Sequence, residues 1–225
     1  MVYKIMNSKF RIFLESAIIS MLVLIIGFSL GLYVESNRND KIIENYRNYE
    51  IQALDLKLQN YYYQIMDSSS CDMAIEQNFQ FADDLYLTGL ELERFEESNQ
   101  ITDELLREKK RYSLLKTELW LNTILLKKKC DASFDTLAYL YAGDPANSKI
   151  VAQQKIISNV LRDLKEQKGN NLILLPVAGD LNLGAVELQK RVHNITRLPV
   201  IIINERIVLE GFQSMEDIKK FLSLI

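Results

Sequence analysis

Residues 17–34 read AIISMLVLIIGFSLGLYV, an unbroken run with no charged side chain. A helix rising about 1.5 Å per residue would carry this run across ~27 Å, close to the thickness of a bilayer's hydrocarbon core. Residues 12–14 extend the run, so membrane contact is expected over residues 12–34. A retained anchor is the first reading. A cleaved signal peptide is the second, because small residues stand at Ser29 and Gly31. A helix buried in a soluble core fits least, since polar residues do not recur at helical spacing. Lys4, Lys9 and Arg11 precede the run, while Arg38, Lys41 and Arg47 follow it, so the lysine and arginine count does not separate the two sides. The short leading tail concentrates its charge and carries no acid among those cations. The expectation is a single pass with the N-terminus in the cytoplasm and the bulk of the chain outside.

The rest of the chain must fold beside that span. A length of 225 residues suggests one or two domains. A net charge of −3 gives no reason to expect a nucleic-acid partner. His193 is the one histidine, and Cys71 and Cys130 are the only cysteines. These are too few for a Cys/His zinc site, and no other metal, cofactor or small-molecule substrate is evident. A Ser-His-Asp triad would have to use His193, which sits in a helical pattern and fits the negative end of a helix dipole better.

Residues 36–66 carry an amphipathic helical pattern in which Ile51, Leu54, Leu58, Tyr61 and Ile65 share one face. Asp67-Ser68-Ser69-Ser70 ends it. A second helix is expected over 72–97, with Ile75, Phe79, Ala82, Tyr86 and Leu90 on one side, and Ser98-Asn99 breaks it. A third runs over 102–129 on a seam of Leu105, Tyr112, Leu115, Leu119 and Leu126, with Thr102 as its N-cap and Lys127, Lys128 and Lys129 as a solvated C-terminal turn. Tyr61-Tyr62-Tyr63 and the lone Trp120 read as packing residues rather than a binding surface. The aligned seams would also suit a coiled coil between two copies.

Short connections make neighbouring helices antiparallel. The start of the second helix and the end of the third then fall at the same end of the bundle, and those places hold Cys71 and Cys130. A disulfide between them is the first expectation, and two reduced cysteines at helix ends the second. A catalytic pair ranks lower: the two do not form a Cys-x-x-Cys, and neither has a histidine nearby to lower its pKa.

From Phe134 the period changes. A strand is expected at 136–141, a helix from about 150 that Gly169 ends, a strand at 172–177, and a helix at 183–193. A hairpin follows at 200–203 and 207–209, turning at Asn204-Glu205, and then a last helix capped by Ser214 with Asp217 at its third position. The apolar β-branched run Val200-Ile201-Ile202-Ile203 suits a strand buried on both faces. Pro199 opens that strand where a missing N–H costs no ladder bond. Asn194-Ile195-Thr196 fits a glycosylation sequon, a short pattern that a loop supplies equally well.

The β-α-β-α-β-β-α succession, together with Leu198-Pro199-Val200-Ile201-Ile202-Ile203-Asn204 and the trailing Glu210-Gly211-Phe212, resembles the thioredoxin superfamily over residues 132–225. The resemblance implies a cis peptide before Pro199, facing the turn after the first strand, and an extended peptide pairing with the backbone at Leu198. It also implies a Cys-x-x-Cys at that turn. Here the matching stretch is Asp144-Pro145-Ala146-Asn147, which keeps the proline and has neither sulfur. What remains is a helix start, with Asp at the N-cap and Pro at the first helical position. Leu198 and Pro199 are therefore either a peptide groove or a relic of the fold.

The expected fold class is α+β: a cytoplasmic tail and transmembrane helix over 1–34, an antiparallel helical bundle over 35–131, and a thioredoxin-like domain over 132–225. The expected function is a membrane-anchored, redox-inactive protein-binding or scaffolding module, with a protein partner or a second copy as its ligand. The alternative is a thiol-disulfide oxidoreductase using Cys71 and Cys130 as a remote pair.

Overall fold

The computed structural model describes residues 8–98, 103–143 and 148–222. The chain divides into two compact units, Met1–Glu50 and Ile51–Ile225. The first helix, α1, spans Ser8–Ile65 and contributes to both. In the first unit Phe13–Tyr33 has a mean hydropathy of 2.2 and none of it is buried. It is long and apolar enough to cross a membrane, and it is not the core helix of a globular unit.

In the second unit the end of α1 is followed by α2 (Cys71–Ser98) and α3 (Asp103–Cys130). Strand β1 (Asp135–Tyr141), helix α4 (Ser148–Lys168), strand β2 (Leu172–Ala178) and helix α5 (Gly184–Val192) come next. Strands β3 (Val200–Ile203) and β4 (Ile207–Glu210) and helix α6 (Met215–Leu222) complete the chain. The sheet order is β2-β1-β3-β4. β1 pairs parallel with β2 and antiparallel with β3, and β4 returns beside β3.

The two apolar central strands are explained by cover on both faces. Leu137, Tyr139, Ile201 and Ile203 meet Ile157, Leu161 and Leu164 of α4 and Ile218 and Leu222 of α6 on one side. Helix α3 packs against β2 and α5, so the junction at 131/132 lies inside this unit. The edge strand β4 alternates between half-buried and exposed residues instead. Local signals set the ends of elements. Gly169 has φ +53, the left-handed geometry that stops α4. Asn204 and Glu205 have φ +48 and +57, as the hairpin's turn requires. Ser214 Oγ accepts from the Asp217 N–H at 3.2 Å and donates to its carboxylate at 2.6 Å, closing a box at the start of α6.

The seam of α3 is buried as expected at Leu105, Tyr112, Leu115, Leu119 and Leu126, and Trp120 is buried beside it. That of α1 is not. Ile51, Leu54, Leu58, Tyr61 and Ile65 are 58–80% exposed, and Leu56, Tyr63 and Met66 are buried instead. The inward face carries amides as well as apolar groups. Asn60 Nδ2 donates to Asn122 Oδ1 at 2.5 Å, and Asn122 Nδ2 donates to the Leu56 carbonyl at 3.1 Å. Polar residues inside displaced the apolar stripe outside, a choice that periodicity alone does not settle. The lysine run at the end of α3 is also not simply solvated. Lys127 Nζ donates to Asn204 Oδ1 at 2.8 Å and Lys129 Nζ to the Gln64 carbonyl at 2.8 Å. The expected N-cap Thr102 and the break residue Asn99 lie outside the described residues.

Candidate functional site

Cys71 opens α2 and Cys130 closes α3, and the two are joined in a disulfide with their Cα atoms 5.6 Å apart. Both sit against Tyr63, Met66, Ala74 and Leu126. Burial, with Asp55 adding to it, pushes the Tyr63 hydroxyl up to about 12. These neighbours are packing groups.

A second feature lies at the end of β1. The Leu198–Pro199 peptide is cis. The β1/β3 ladder ends at Leu140↔Val200, so Leu198 lies just beyond it. Its side chain fills the space over Gly179, where a Cβ would meet Leu198 Cδ1 at 3.0 Å. The Pro199 carbonyl accepts from the Gly211 N–H at 3.0 Å, tying this segment to the end of the hairpin. Asp180 Oδ1 accepts from the Gly143 N–H at 2.7 Å, and the Gly179 N–H donates to the Tyr141 carbonyl at 2.7 Å. The segment containing Leu198 is thus fixed next to the loop that leaves β1. Asp144, Pro145, Ala146 and Asn147, which the resemblance is expected to place at a redox-motif position, lie outside the described residues.

The hairpin turn carries a polar cluster that sequence reasoning missed. Glu205 accepts from Thr136 Oγ1 at 2.6 Å and from Trp120 Nε1 at 3.1 Å. Asn204 Oδ1 takes the Thr136 N–H and Lys127, while its Nδ2 donates to Asp135 at 2.9 Å. Burial lowers the Lys127 pKa, and Glu205 and Asp135 oppose that effect. Trp120 also stacks on His193 at 5.7 Å, and His193 Nδ1 lies 3.0 Å from the Gln189 carbonyl. His193 therefore ends α5 as a packing residue, as its sequence position implied. Every partner in this cluster is satisfied by another, so it anchors α3 to the hairpin.

The third feature is a cavity of about 520 Å³ bounded by α2, α3, α4, β1 and β2. Its lining mixes aromatic and aliphatic groups with Lys109 and Lys116 of α3. Lys109 Nζ donates to the Gly143 carbonyl at 2.6 Å. Lys116 is 1% exposed and its Nζ has no hydrogen-bond acceptor among the described residues. It lies 4.5 Å from the Tyr112 ring centroid. Burial holds its pKa well below the ordinary lysine value, with Glu93 opposing. Burial also raises the pKa of the Tyr139 and Tyr86 hydroxyls on the cavity wall. The sequence held a signal for this site: Lys109 and Lys116 fall on the same 3-4 stripe as Leu105, Tyr112 and Leu119, where a charge is out of place.

No family model matches the chain, and no curated protein matches it. Among solved structures, one described as "Structure of a malarial protein" is 21% identical, covers 40% of this chain and 96% of its own, and has a TM-score of 0.31.

Proposed function

We propose that the chain is a membrane-anchored, redox-inactive thioredoxin-like module that binds an extended segment of another protein beside Pro199, outside the cytoplasm. The observation that carries this reading is the Leu198–Pro199 segment, which stands just before β3 beside the loop that leaves β1, in a sheet ordered β2-β1-β3-β4. That order, with β3 antiparallel to β1, supports the thioredoxin-like arrangement, as does the β-α-β-α-β-β-α succession. Leu198 lies past the end of the ladder, where an added strand finds backbone to pair with. Redox inactivity follows from the sequence: Asp144 and Asn147 stand at the sulfur positions, and the two cysteines present are joined to each other. The span Phe13–Tyr33 supports the anchor, and the disulfide supports an oxidising location for the unit that carries it.

The test places a photo-crosslinking residue at the exposed Arg197 in the full chain, held in lipid nanodiscs, and offers it a library of extended peptides. Specific peptide adducts are expected, and Leu198→Pro, which removes the backbone donor, abolishes them. Labelling that is indifferent to Leu198→Pro, or equal to labelling from the exposed Lys128, overturns the reading.

The exposed stripe of α1 favours a second reading, a subunit that pairs with another copy. Ile51, Leu54, Leu58, Tyr61 and Ile65 repeat at the 3-4 spacing of a coiled-coil seam. Together they offer roughly 600 Å² per copy, so a pair would bury about 1,200 Å², the lower end of specific interfaces. In the other unit, Gly27 and Gly31 have open space around them and form the small-xxx-small spacing of pairing membrane helices. Oxidative crosslinking through Leu58→Cys, with Lys57→Cys as control, is expected to trap a dimer. A detergent-solubilised chain that stays monomeric at every concentration, and yields no more crosslink from position 58 than from 57, removes it.

A further inference from the structure

Peptide binding at Pro199 makes no use of Lys116. An amine side chain 1% exposed and without an acceptor is costly, because it has given up water and received no hydrogen bond in return. The Tyr112 ring, 4.5 Å away, offsets only part of that cost. The other polar groups around the cavity are engaged. Lys109 holds the Gly143 carbonyl at 2.6 Å, and the Tyr112 hydroxyl donates to the Leu85 carbonyl at 2.9 Å. Gln154 bonds both the N–H and the carbonyl of Ala142, and Arg162 pairs with Glu93 at 3.3 Å. The rest of the wall is largely apolar or aromatic, including Tyr86, Leu90, Tyr139, Leu161, Leu174 and Pro176.

We propose that this cavity binds a small monoanion, a carboxylate on a compact aromatic or branched aliphatic body, with Lys116 taking the carboxylate. Its volume of about 520 Å³ lies within the range of small-molecule sites. Pairing with a carboxylate offsets the desolvation that disfavours the ammonium form, so the one amine without an acceptor among the described residues matches a single negative charge. A phosphate dianion would need further donors, and of the neighbouring cations Lys109 is committed to Gly143 and Arg162 to Glu93. The apolar wall selects the body of the ligand, and Lys116 fixes its orientation.

The probe is 3-phenylpropionate, with 3-phenylpropionamide as its uncharged counterpart. Both are titrated against the full chain in zwitterionic lipid nanodiscs and read by ligand-observed saturation-transfer NMR, with empty nanodiscs as the reference. The acid is expected to saturate and to bind at least about tenfold more tightly than the amide. Lys116→Met should reduce the acid to the level of the amide and leave the amide unchanged. Because this substitution removes a buried unpaired amine, folding is expected to survive it. Leu90→Trp, which fills the cavity from α2, gives an independent variant and should weaken both ligands. Acid and amide binding alike, acid binding unaffected by Lys116→Met, or no saturable acid signal above empty nanodiscs up to about 10 mM would each overturn the proposal.

Discussion

Replacing Cys71 and Cys130 together by serine asks whether their bond is a structural tie or a working redox pair. The bond closes a loop with a sequence separation of 59 residues. On the chain-entropy model, opening a loop of that length releases about 4 kcal/mol of denatured-state freedom. The half-buried serine hydroxyls, placed against Met66 and Leu126, would add about 1 kcal/mol unless they find partners. For a unit the size of Ile51–Ile225, a loss of about 4–5 kcal/mol corresponds to a fall in melting temperature of roughly 8–20 °C. The assay is urea unfolding followed by the emission of Trp120, the chain's only tryptophan. Trp120 is buried, bonded to Glu205 and stacked on His193, so it reports on this unit rather than on the apolar helix Phe13–Tyr33. Reductant should destabilise the wild type by a similar amount and leave the double variant unchanged. A loss under about 1 kcal/mol would refute the entropy argument. A bond that opens and re-forms in step with oxidation of a protein substrate would refute the structural role and restore the oxidoreductase alternative.

Asn204→Ala removes bonds to Asp135, Lys127 and the Thr136 N–H and leaves a non-glycine residue at φ +48. It should cost about 2–4 kcal/mol by urea unfolding, and Asn204→Gly, which relieves only the backbone, should recover about 1 kcal/mol of that. Ser214→Ala opens the box at the start of α6 and should cost about 1 kcal/mol. Lys116→Met should stabilise the chain by about 1–3 kcal/mol at neutral pH. The pH dependence has a definite sign. The Lys116 pKa is lower in the folded state than its unfolded value of 10.5, so between the two the unfolded chain binds more protons and wild-type stability rises with pH. Lys116→Met lacks that rise, so its advantage should shrink as pH climbs towards 10.5. An advantage that stays constant across that window would show that Lys116 titrates normally in the fold.

The disulfide was legible because two local facts, antiparallel helices and cysteines at matching ends, leave few other arrangements. The hairpin was legible because Asn204-Glu205 between β-branched runs has few ways to turn. The face of α1 was not. A 3-4 stripe reports that one side of a helix is apolar, not which neighbour covers it, and here Asn122 drew the amide side inward. The cavity was half legible: the misplaced lysines of α3 were visible in the stripe, but their neighbours come from α2, α4, β1 and β2. Only the tertiary fold brings those residues together. The hairpin cluster was hidden for the same reason, since Lys127 and Asn204 lie 77 residues apart.

The amides between the helices restrict how the bundle can rearrange. Asn78 donates to Thr123 at 3.0 Å between α2 and α3, while Asn60 meets Asn122 between α1 and α3. Leucine contacts tolerate sliding by a turn, because one apolar side chain replaces another. Amide contacts do not, because a slipped helix would leave several donors facing carbon. Positions 122 and 123, adjacent on α3, therefore act as a two-sided detent, each holding a different neighbour at one height. Replacing both partners of one pair by alanine should keep the helices together and let that neighbour slip, so that a single spin-label distance between them becomes a distribution.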